Sequence, residues 1–234
     1  MEANNAKASD LKVFTSRAVA TVLAKVGPKF EAGFGYKLNV VVDLTPTLVK
    51  RVRAGEPADV IVALPPLIDN LIEEGRAIAN TRTNLVRSGL GLEMRSGSIK
   101  RDIGSLDTFL DILLSLKSIG YLKTPAGAHL DQEFTRLGIA DAIKAKAIRP
   151  EKDIVSLLVA KGEIQAGIVV ITQILTTPGV ELVGPLPAEL QYYVAFVGAV
   201  STTSAAPGPA RDLLKFLTGS AAVSIIKSQG MESG

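Results

Sequence analysis

The 234-residue chain contains no cysteine and no tryptophan, and only one histidine. The lack of cysteine excludes disulfides, thiolate metal ligands and a sulfur nucleophile, and leaves the redox compartment open. A lone imidazole cannot build a metal site without further ligands. His129 is therefore read as a surface or half-buried helix residue able to hydrogen-bond a ligand. No metal and no cofactor are expected. Aromatic residues make up 5% of the chain. That is too few for a base-stacking platform or an aromatic sugar cleft, and it points to a small or polar ligand.

Blocks of like charge are missing too. The chain carries 26 basic and 23 acidic residues, a formal net charge of +3, dispersed along its length. The isoelectric point near 9.1 is thus no electrostatic footprint for nucleic acid, and no nucleic-acid partner is expected. No apolar run reaches the roughly 18 residues of a membrane-spanning helix. The opening "MEANNAKASD" shows neither the basic n-region nor the apolar h-region of a secretory signal. Enzyme signatures are absent: there is no G-x-S-x-G elbow, Walker loop, Rossmann glycine fingerprint or H-E-x-x-H. Asp43, Asp59 and Asp69 are not paired by spacing into an acid and a base. No catalytic residue is named, and the chain is not expected to be an enzyme.

Hydrophobic residues at 47% and charged residues at 21% are ordinary for a folded globular protein. Short β-branched runs alternate with amphipathic segments. "LKVF" leads into a helix over 16–32, "KLNVVV" into 46–54, and "ADVIVAL" into 65–75, where Pro65 and Pro66 suit a first helical turn. Beyond the extended "LVRSGLGLEMRSG" the alternation resumes, with helices expected over 105–116, 127–138 and 151–161. "IQAGIVVI" reads as a strand followed by a short turn or helix. The strand "YYVAFVGAVS" precedes helices over 205–217 and 219–229, separated by Thr218 and Gly219. The pattern predicts an α/β protein of two lobes, each a mainly parallel sheet flanked by helices, joined by two crossover strands. Lobe I comprises 1–82 and 191–234 and lobe II comprises 83–190, with a ligand cleft between them.

Ligands of such sheets sit at the carboxyl ends of strands, where helix starts present free N–H groups and partial positive charge. The junctions here are Thr15, Ser16 and Arg17; Thr45 to Thr47; the "KTPAGAH" run; and Pro150 to Ile154. Each hydroxyl is also a preferred helix cap needing no ligand. Arg17 reads either as a solvated helix-start residue or as a contact to an anion, because a cation there opposes the helix dipole.

The runs "KVFTSRAV", "TLVKRVRAGEPADVIV", "TPAGAH", "GEIQAGIVV" and "GVELVGPLPAELQ" resemble the molybdate-type (ModA-like) periplasmic substrate-binding proteins of ABC transporters, from Leu11 to Met231. The resemblance implies a type II periplasmic-binding-protein fold that closes hinge-wise over an oxyanion held by hydroxyls and backbone N–H groups. It places the ligand against Thr15, Ser16, Arg17 and Thr45 from lobe I, and Ala126, Gly127, Ile154 and Val170 from lobe II. The family's first serine falls on Ala18, and its donor tyrosine falls on Val170. The implied ligand is therefore a molybdate- or tungstate-like oxyanion or a small carboxylate. Molybdate would be bound as an oxyanion, not as a metal. An ABC permease is the implied partner, the protein is expected to be a monomer, and the implied location is periplasmic. The alternative is a cytoplasmic ligand-sensing domain of the same fold, if the chain is the full native product.

Overall fold

The computed structural model describes residues 10–98, 101–150 and 154–234. Contacts divide the chain into two compact units: the chain up to Arg87 together with Ala195–Gly234, and Ser88–Val194. Three strand–helix pairs open the first unit: β1 (Asp10–Thr15) and α1 (Arg17–Phe34), β2 (Lys37–Val42) and α2 (Thr45–Arg53), β3 (Val60–Ala63) and α3 (Pro65–Glu73). Strand β4 (Thr83–Arg95) carries the chain into the second unit. There follow α4 (Leu106–Ser115), β5 (Ile119–Gly120), α5 (Pro125–Arg136), α6 (Ala140–Lys144), β6 (Ala147–Ile148), α7 (Val155–Lys161), β7 (Ala166–Val170), α8 (Ile171–Thr176) and β8 (Val180–Pro185). Strand β9 (Tyr193–Val200) returns the chain, and α9 (Pro207–Thr218), α10 (Ser220–Ser228) and β10 (Glu232–Ser233) complete the first unit.

In the first unit β1 lies between two parallel neighbours, β2 and β3, while β3 pairs antiparallel with the later residues of β9. Helix α1 earns its place through a stripe at helical spacing, burying Val19, Val22, Leu23, Val26 and Phe30. The opposite face of β1 sends Phe14 into a core with Leu48, Ile61, Ile68 and Leu71, each such side chain stabilising by about 1.5 to 3 kcal/mol. In the second unit β5 lies between parallel β6 and β7, and β7 pairs antiparallel with β4. Phe109, Leu113, Ile119, Leu130 and Phe134 form the core there.

The "AGEPADV" run, part of the resemblance, is a structural tie. Asp59 is buried; its Oδ2 accepts from the Lys12 N–H at 2.8 Å, and its Oδ1 accepts from the Ser204 hydroxyl at 2.7 Å and the Ala205 N–H at 3.1 Å. One carboxylate thereby fastens β1 to the turn before α9. Glu56 accepts from Lys12 Nζ at 2.9 Å and from Arg51 Nε at 2.7 Å. These bonds hold its carboxyl at about 2, well below the usual carboxylate range.

Three details depart from the sequence reading. Helix α7 begins at Val155, because Ile154 has ψ 7° with φ −126° and caps the helix from outside; residues 151–153 of the expected 151–161 helix lie outside the described residues. Helix α6 was not expected, being a single turn with one buried residue, Ile143. Strand β8 arises from "VELVGP", which pairs with β4 across a register shift between Leu92 and Glu93.

Candidate functional site

In the first unit the sequence-named residues gather where β1 and β2 end. Thr15 closes β1 and is fully buried (0% exposed). Ser16 is the N-cap of α1, yet its side chain makes no capping bond. Neither hydroxyl has a hydrogen-bond partner among the described residues, although both oxygens are buried. Leaving a buried hydroxyl unpaired costs about 1 to 3 kcal/mol. The N–H groups of Arg17, Ala18 and Val19 likewise have no acceptor among the described residues. The start of an 18-residue helix is thus uncapped, with its positive end open.

Arg17 is exposed and forms no ion pair among the described residues. The β2–α2 turn lies alongside, since the Asp43 N–H donates to the Thr15 carbonyl at 3.3 Å. The Asp43 carboxylate is engaged locally: its Oδ1 accepts from the Leu44 N–H at 2.7 Å, and its Oδ2 stands 4.0 Å from Arg51. Thr45, the first residue of α2, is buried, and no partner for its hydroxyl is found among the described residues. The four named residues therefore form one corner with hydroxyl and N–H donors and a guanidinium.

In the second unit β5 ends at Gly120, opposite Gly167, while the parallel strand β7 runs on to Val170. Helix α5 begins at Pro125 after the N-cap Thr124, whose hydroxyl accepts from the Gly127 N–H at 3.3 Å. Gly127 is therefore not a free donor. Its role is steric, because a Cβ there would collide with the Leu122 carbonyl oxygen. The Ala126 N–H has no acceptor among the described residues and remains the open donor of that turn. Ile154 caps α7, whose Val155 methyl lies over both Gly120 and Gly167. Val170 caps α8 and packs against the core, offering no donor. His129, considered as a ligand contact, is occupied: its Nε2 lies 3.1 Å from the Leu190 carbonyl oxygen.

The sequence reading did not single out Ser88, Glu93, Tyr121, Asp131 and Arg149 of the second unit. Ser88 caps α8, its hydroxyl accepting from the Thr172 N–H at 3.4 Å. Glu93 is a fully buried acid laid over Gly167, where a Cβ would come within 2.5 Å of its Oε1; a single acid inside the apolar "GLGLEMR" was its only trace. Arg149 donates to Asp131 at 2.7 Å and stacks 4.5 Å from the centre of the Tyr121 ring. The Tyr121 hydroxyl donates to Asp131 at 2.9 Å, and burial, then this bond, pushes the phenol up to about 12.

Helix starts at the carboxyl ends of parallel strands, within each of two α/β units joined by two strands, define the type II periplasmic-binding-protein fold. The chain belongs to the family described as bacterial extracellular solute-binding protein, whose model matches residues 11–232. A substrate-binding domain ascribed to a molybdenum ABC transporter of Clostridium difficile superposes with a TM-score of 0.81 at 19% identity, covering 97% of this chain and 99% of that one. The periplasmic molybdate-binding protein of Azotobacter vinelandii superposes with a TM-score of 0.71 at 18% identity, covering 96% and 99%. Among curated proteins, an aconitate isomerase of a Pseudomonas species is 28% identical over 228 residues, which is 95% of this chain and 87% of that protein. Among the described residues no helix is long and apolar enough to cross a membrane.

Proposed function

We propose that this chain is the extracytoplasmic receptor of an ABC importer, capturing a small anion by hydroxyl and backbone N–H hydrogen bonds without covalent chemistry. Its partners are the anion and an ABC permease. The observation that carries this reading is the pair of buried, partnerless hydroxyls of Thr15 and Ser16 at the open start of α1. A fold gains nothing by leaving two such groups unpaired, whereas an anion accepts from both of them and from the N–H groups beside them. Each unit offers its own donors, the second through the Ala126 N–H.

A thermal-shift screen over molybdate, tungstate, sulfate and small carboxylates tests the reading. A ligand that binds only the folded state raises the melting temperature by mass action. At least one anion is expected to stabilise the protein in a concentration-dependent way; no stabilisation by any of them contradicts the reading.

The similarity to an aconitate isomerase favours one second reading, in which the same corner binds an unsaturated polycarboxylate and isomerises it. Proton NMR of aconitate incubated with the protein separates the two. Interconversion of the cis and trans forms supports the isomerase, and unchanged spectra support the receptor.

A further inference from the structure

Two of the exposed large hydrophobic side chains stand beside the first-unit corner. Val42 is 47% exposed and Leu44 is 74% exposed. Val42 is the register partner of Thr15 across the parallel β1–β2 pair, and partners in a parallel pair project to the same face. That face is the one covered by α1, since Leu38, two alternations earlier on β2, is the side chain a Cβ at Gly27 of α1 would meet at 3.2 Å. Val42 therefore flanks the open start of α1. Leu44 caps α2 immediately before Thr45. Isolated exposed hydrophobics are common on protein surfaces. Here, however, they bracket a buried partnerless hydroxyl, an open helix start and a guanidinium with no acidic partner among the described residues.

These groups ask different things of a ligand. The guanidinium is a planar fork that matches a carboxylate by two parallel hydrogen bonds. The hydroxyl and N–H groups want acceptor oxygens. The methyl groups of Val42 and Leu44 want hydrocarbon, which a tetrahedral inorganic oxyanion does not carry. The Ala18 side chain adds no hydroxyl to the corner, which limits the hydrogen bonds available there to an anion with oxygens on every side.

We infer that the solute is an organic carboxylate: its carboxyl group sits against Thr15, Ser16 and the Arg17 guanidinium, and its hydrocarbon body lies on Val42 and Leu44. The inference rests on the anion-capture reading and narrows it to one chemical class.

Isothermal titration calorimetry with molybdate, sulfate, acetate, butanoate and hexanoate tests it on the full chain. Affinity is expected to rise from acetate to hexanoate and to exceed that for either tetrahedral anion. Leu44→Ser, at an exposed position whose replacement leaves the melting temperature unchanged, weakens hexanoate by about tenfold and acetate far less. Val42→Thr shows the same split to a smaller degree. Arg17→Gln weakens every carboxylate by about tenfold or more. Tighter binding of molybdate or sulfate, or carboxylate affinities indifferent to chain length and to Leu44→Ser, overturns the inference while leaving anion capture standing. If none of the five anions binds, both fall.

Discussion

The hydroxyl of Ser204 donates to Oδ1 of Asp59 over 2.7 Å, joining residues 145 positions apart. The same oxygen accepts from the N–H groups of Ala205 and Ala206, and the other oxygen accepts from that of Lys12. Asp59→Ala strands these donors in a buried place, so it is expected to cost about 3 to 5 kcal/mol. Ser204→Ala removes one donor and should cost about 1 to 2 kcal/mol. Urea unfolding of the two variants checks the order; equal costs would mean that the hydroxyl carries the whole tie.

Gln191 behaves like a short strand. Its Oε1 accepts from the Leu90 N–H at 2.6 Å, and its Nε2 donates to the carbonyl oxygens of Leu90 at 3.1 Å and Leu186 at 3.3 Å. Gly89 makes room for it, since a Cβ there would lie 3.0 Å from the amide. Gln191→Leu keeps the volume and removes these bonds, while the Leu90 N–H keeps the Tyr192 carbonyl oxygen at 3.2 Å and the Leu90 carbonyl oxygen keeps the Leu186 N–H at 3.1 Å, so a loss of about 1 to 2 kcal/mol is expected in denaturant melts.

Acid should loosen the first unit through Glu56. Its carboxyl is depressed to about 2, first by the Arg51 hydrogen bonds and then by that from Lys12. A depressed carboxylate contributes stability that is fully present above its ordinary value near 4.5 and is lost as pH falls through about 2. Unfolding free energy measured across that window should fall less steeply in Glu56→Gln than in the parent.

At the other end of the scale, Tyr121 should ionise late. Burial and the bond to Asp131 raise its phenol to about 12. The raised value favours the neutral form in the fold, so its contribution to stability is intact below the ordinary value near 10 and disappears as pH rises through about 12. Absorbance at the phenolate band should show a late step that Tyr121→Phe removes.

Most of the fold was legible because its signals are local. The alternation of "KLNVVV" and "ADVIVAL" with amphipathic segments places β2, β3, α2 and α3, and the prolines at 65 and 66 mark the start of α3. Helix α6 and strand β10 escaped because single turns and two-residue strands carry no periodicity. The corner at Thr15 was legible as a strand handing over to a helix, but its decisive property was not. Whether a hydroxyl caps its helix or stands partnerless depends on φ, ψ and rotamer, and Thr124 caps α5 where Ser16 leaves α1 uncapped. Val42 and Leu44 escaped for a related reason: exposure beside the corner follows from the register of β1 and β2, which the sequence does not spell out.

The account depends most on the Thr15 hydroxyl being held for a ligand, and Thr15→Val addresses that directly. Removing an unpaired buried hydroxyl at constant shape should leave the ligand-free protein as stable as before or up to about 1 to 2 kcal/mol more stable. The same variant should bind the best anion of the screen about tenfold or more weakly. Paired urea unfolding and calorimetry on one preparation give both numbers. A gain or no change in stability with a loss of affinity is the predicted result; a loss of stability with unchanged affinity would contradict the account.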